Sequence, residues 1–133
     1  MTIYVFGNPD DKIDSLSYRV AKKISRLYPQ INFIPVLPGP ELPFSSDENV
    51  ILMDVILNLK NPALITDDHI PDLTLPPRFS AHDFDLGFQL KILKKIHQIG
   101  TVTIIGIPPH LKIDYLSIHS IFKKLVAQDM HGS

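Results

Sequence analysis

Apolar residues in this chain fall into short, nearly unbroken runs separated by longer amphipathic stretches. The run T-I-Y-V-F at 2–6 ends at Gly7 and predicts a buried strand. From Leu16, apolar positions recur at Val20, Ile24 and Leu27, the spacing of one helix face. Lys22, Lys23 and Arg26 favour the C-terminal half of that helix, Pro29 lies just past its end, and Asp14 or Ser15 is placed to cap its start. I-N-F-I-P-V at 31–36 predicts a second strand, at or near a sheet edge because Pro35 cannot donate to a ladder. V-I-L-M-D-V-I-L at 50–57 has the character of a central parallel strand covered on both faces. P-A-L-I-T-D at 62–67 reads as a short edge strand.

The stretch 82–100 predicts a second helix, with Leu86, Leu90, Leu93 and Ile96 as its core stripe and Gly100 as its terminator. T-V-T-I-I-G-I at 101–107 is a further strand, stopped by Pro108 and Pro109. Residues 114–128 predict a last helix carrying Leu116, Ile121, Phe122 and Leu125, followed by a frayed D-M-H-G-S tail. Strands alternating with helices imply one α/β domain over 1–133. The expected form is a three-layer α/β/α sandwich around a mostly parallel, twisted sheet of four or five strands. Ligands of such sheets sit beyond the carboxyl ends of the strands, so polar residues there are the ones to examine.

Composition narrows the classes of function. The net charge is −1 and no basic block occurs, which argues against nucleic acid or an anionic membrane as the main partner. The chain has no cysteine, which removes disulfides and thiolate metal ligands and fits a reducing compartment. No apolar run reaches membrane-spanning length, and M-T-I-Y-V-F lacks a basic n-region, so a cytoplasmic protein is expected. The proline-rich stretches 35–43 and 71–77 read as stiff surface connections.

Asp54 interrupts the apolar run at 50–57. An ionised carboxylate in a buried strand must be paired, hydrogen-bonded by a neighbouring loop, or bound to a metal. Asp14 follows the first strand through a short loop and is either a helix cap or a ligand. Asp10 and Asp11 fit turn chemistry in N-P-D-D. His82, ahead of the second helix, is either a surface or cap histidine or a third ligand. Two carboxylates and an imidazole suit a borderline divalent ion such as Zn²⁺ or Ni²⁺, with positions left open for water or substrate. No H-E-x-x-H, G-x-S-x-G, Walker A or G-x-G-x-x-G motif is present.

In order along the chain stand V-F-G-N (5–8), Asp14, Arg19, I-L-M-D (51–54), S-A-H-D (80–83) and V-T-I-I-G-I-P-P (102–109). In this the chain resembles the nickel–iron hydrogenase maturation endopeptidases over nearly its whole length. Each motif is short, and their order carries the resemblance. It implies an endopeptidase that removes a C-terminal extension from a hydrogenase large-subunit precursor after nickel insertion. It also implies that Asp14, Asp54 and His82 form a metal-binding triad that reads the nickel of the substrate precursor, or another divalent ion such as zinc in its place, with Asp14 or Asp54 as the catalytic base. A monomer is expected. The chain departs from the family at usual glycine positions, which here are Ser15, Ser17 and Asp85. A non-catalytic protein that docks a metalloprotein precursor is the alternative, and a small-molecule-binding doubly wound domain a third reading.

Overall fold

The computed structural model describes residues 1–36, 44, 48–67, 69, 90, 94–95 and 99–131. In chain order these form β1 (Thr2–Phe6), α1 (Leu16–Leu27), β2 (Asn32–Val36), β3 (Glu48–Val55), β4 (Ala63–Thr66), β5 (Ile99–Ile107) and α2 (Tyr115–His131). The five strands make one sheet in the order β2-β1-β3-β5-β4. β2, β1, β3 and β5 run parallel, and β4 closes one edge antiparallel to β5. All four strands expected to share a sheet do so, with Pro35 on the outer strand β2.

Strand alternation sends side chains to two separate cores. On one face Val5, Met53, Val55, Ile105 and Ile107 pack with Leu16, Val20 and Ile24 of α1 and Ile118, Phe122 and Leu125 of α2. On the other, Phe6, Val50, Leu52, Ile56, Val102 and Ile104 pack with Leu90, which is helical, as are Lys94 and Lys95. Helical residues on both faces of a mostly parallel sheet give the expected three layers. Full burial of side chains such as Phe122 and Leu52 contributes roughly 1.5–3 kcal/mol each to this arrangement.

Several boundaries differ from the sequence reading. β3 starts at Glu48 and ends at Val55; Ile56 stays buried beyond it, while Leu57 is exposed in a turn. β5 starts at Ile99, so Gly100 lies in a strand and does not terminate a helix. Burial of Ile99 against the second core draws this segment into the sheet, and the Asn49 side chain accepts both Thr101 N–H and Thr101 Oγ1–H there. The remainder of the expected helix at 82–100 lies outside the described residues, except for Leu90, Lys94 and Lys95. Lys94 Nζ pairs with Asp67, whose other oxygen accepts Val102 N–H at 2.7 Å.

α2 continues through 129–131, residues expected to fray. Its buried stripe is Ile118, Phe122 and Leu125, and Leu116 is 87% exposed. Leu116 stands two positions before Ile118, about 200° around a helix, and so faces away from the core. Leu27 at the end of α1 is likewise exposed, and Ser17 and Ala21 complete the buried face in its place.

Candidate functional site

Gly7 follows β1, and the chain then folds into a tight turn before α1. Asn8 Oδ1 accepts Asp10 N–H at 3.0 Å. Asp11 Oδ1 accepts the N–H groups of Ile13 (2.9 Å) and Asp14 (2.8 Å), while Ser15 N–H donates to Asp11 O. Asp11 therefore caps a helical turn that precedes α1 itself, in the way an N-cap aspartate satisfies the second and third amides. Ser15 holds the N-cap position of α1 but makes no side-chain capping bond; its Oγ donates to Lys12 O. The expected cap was Asp14 or Ser15; Ser15 takes the N-cap position without a capping bond, and Asp11 caps the turn ahead of it. In sequence Asp11 shares this capping signal with Asp10 and Asp14.

This turn is pressed onto the end of β1. A Cβ on Gly7 would lie 2.4 Å from the Asp14 carbonyl oxygen and 3.1 Å from Tyr18 Cε2. The Tyr18 hydroxyl lies 3.0 Å from Gly7 O and 2.9 Å from Val36 O, joining the carboxyl ends of β1 and β2 to the first turn of α1. Sequence reading missed Tyr18, which offers no signal beyond a tyrosine on the first turn.

Asp54 stands at the end of β3. Its neighbours across the sheet follow from register: Tyr4 and Val5 pair with Leu52 and Met53, and Asp54 itself pairs with Gly106. Alternation puts the Asp54 side chain on the face of Leu52 and Ile56, beside a β5 residue that has no side chain. Its Oδ1 accepts Val55 N–H at 2.8 Å, which turns the carboxylate toward the strand's carboxyl end.

Among the described residues the buried polar side chains are Asp14 (2% exposed), Ser17 and Asp54 (both 0%). Two of the three are predicted site residues, at the carboxyl ends of adjacent parallel strands. The Asp14 backbone carbonyl lies against Gly7 at the end of β1, and the Asp54 side chain stands on the face of the second core. The third predicted residue, His82, lies outside the described residues, as does Asp85. Among the described residues no three His, Cys, Asp or Glu side chains gather as a metal site. The two buried carboxylates offer oxygen donors in keeping with a divalent cation. Two clefts of about 280 and 300 Å³ lie elsewhere, one by Asn49, Thr101 and Asp129, the other by Lys22, Phe33 and Pro35; neither Asp14 nor Asp54 lines them. No described helix is long and apolar enough to cross a membrane.

The sheet order, the helical residues on both faces and the acids at the strand ends define an α/β/α protein of the doubly wound class. Among solved structures it shares this fold with an endopeptidase from Escherichia coli, at 19% identity and a TM-score of 0.58, covering 99% of this chain and 94% of that one. A hydrogenase 2 maturation peptidase from Thaumarchaeota archaeon SCGC_AB-539-E09 aligns at 20% identity and a TM-score of 0.48, covering 99% of each chain. No family model and no curated protein matches the sequence.

Proposed function

We propose that this protein is a processing endopeptidase of the hydrogenase maturation type, which removes the C-terminal extension of a nickel-loaded large-subunit precursor. The observation that carries this reading is the pair of buried carboxylates, Asp14 and Asp54, at the carboxyl ends of β1 and β3. It is supported by the fold shared with an endopeptidase and by the ordered motifs of the sequence. The nickel belongs to the substrate. Asp14 and Asp54, with His82 as a nitrogen donor, hold it and so fix the extended tail relative to the sheet. Zinc can take its place in binding experiments. A carboxylate oxygen of Asp14 or Asp54 that is not bound to the ion takes a proton from the attacking water, the water oxygen bonds to the scissile carbonyl carbon, and the C–N bond breaks as that carboxyl returns the proton to the leaving amine.

The test is incubation of purified protein with nickel-loaded and nickel-free precursor, followed by intact-mass measurement. Cleavage is expected only with the loaded form. Asp54→Asn should lower it at least tenfold and more than Asp14→Asn, because Asp54 lies within a strand of the sheet on the face of an apolar core, whereas Asp14 stands in a turn. His82→Ala should abolish recognition of the loaded form. Equal cleavage of both precursors would remove the nickel-reading mechanism. The complete burial of Ser17, at a position where the family has glycine, favours a second reading, a precursor-binding protein without turnover. Binding without cleavage, lost in Asp54→Asn, would select it.

A further inference from the structure

Among the described residues, Ser17 is the one buried polar side chain that the proposed mechanism leaves unused. It is fully buried, and among the described residues its Oγ has no hydrogen-bond partner. A buried hydroxyl without a partner costs about 1–3 kcal/mol. Such a group calls for a reason, and catalytic and ligand sites are where reasons of this kind are found.

Its position supplies one. The backbone is helical or nearly so from Asp11 into α1, through bonds from Ser15 N–H to Asp11 O, Leu16 N–H to Ile13 O and Arg19 N–H to Ser15 O. Residues 14 and 17 therefore stand three apart on one helical surface, where side chains are neighbours, although the Ser17 hydroxyl makes no bond to Asp14 in this structure. Helical side chains lean toward the N-terminus, so Ser17 leans over the turn that carries Asp14. A carboxylate that binds a cation keeps lone pairs for a further donor, and such donors orient it.

We propose that Ser17 is a positioning residue for Asp14: its hydroxyl donates to the Asp14 carboxylate when a divalent cation is bound there. The inference rests on the reading of Asp14 as a ligand. It makes Ser17 a feature of this chain's own specificity, since the family's usual glycine has no hydroxyl to give.

The test is calorimetric titration of the purified chain with Zn²⁺ and with Ni²⁺, alongside thermal melts without ion. Ser17→Ala should bind about tenfold more weakly, the lower end of what losing an outer-shell donor costs. Its Tm without ion should equal or exceed that of the wild type, because the unsatisfied oxygen is gone. Ser17→Thr, which restores a hydroxyl, should recover most of the affinity. Unchanged affinity in Ser17→Ala overturns the proposal, and so does an affinity loss accompanied by a lower Tm, which marks a merely structural role. If the wild type binds neither ion, the reading of Asp14 and Asp54 as an ion site fails and the Ser17 proposal falls with it. If the wild type binds and Ser17→Ala binds equally, only the Ser17 proposal falls.

Discussion

Gly7 is the residue on which the position of Asp14 depends. A side chain there would meet a backbone oxygen at 2.4 Å, and backbone cannot swing aside as a flexible side chain can. Gly7→Ala should therefore cost roughly 1–3 kcal/mol, the usual range for overpacking, and lower the Tm by several degrees. Because the clash falls on Asp14 itself, the ion affinity proposed for that residue should fall in the same variant, in contrast to Ser17→Ala, where stability and affinity part. A melt and a titration of Gly7→Ala check both; unchanged stability would mean the turn relaxes without cost. At this scale the burial of Asp54 was legible, because it interrupts an apolar run. Asp11 was not: in N-P-D-D-K-I-D several acids compete for one capping role, and only the backbone path decides among them.

The start of α2 shows how an element is held. Asp114 accepts Ser117 N–H at 3.1 Å and the Ser117 hydroxyl at 2.7 Å, closing the first turn. These bonds, the hydroxyl first, hold the Asp114 carboxyl below its ordinary value. A depressed folded-state pKa contributes stability above the unfolded value and loses it as pH falls through the folded one. Asp114→Ala should thus melt below the wild type at pH 7, and the gap should close in acid below the ordinary aspartate range. A gap that persists at low pH would assign the effect to packing. Periodicity revealed every described element but placed some ends poorly. Ile99 and Gly100 were given to a helix because a glycine after a helical stripe resembles a terminator, whereas pairing with β3 claims them for the sheet. Leu116 was grouped with Ile121, Phe122 and Leu125 because a short apolar-rich window fits more than one helical phase.

At the scale of the whole molecule, alternation of strands and helices made the layers and the parallel sheet legible. The strand order was not, because a right-handed crossover can return the chain to either side of a strand already laid down. The order found, β2-β1-β3-β5-β4, leaves β2 and the four-residue β4 as outer strands. Pro35, read first as a sign of position, then has a second effect. An outer strand offers unpaired amides to any passing chain, and a proline removes one of them and disfavours further strand addition. β4 limits the same hazard by being short. Under the function proposed above, the protein would gain from this, since an open sheet edge would compete with its own site for the precursor's tail. Pro35→Val should fold, yet scatter more light on concentration and form oligomers on size exclusion. A variant as monodisperse as the wild type would show that the edge is guarded by something other than the missing amide.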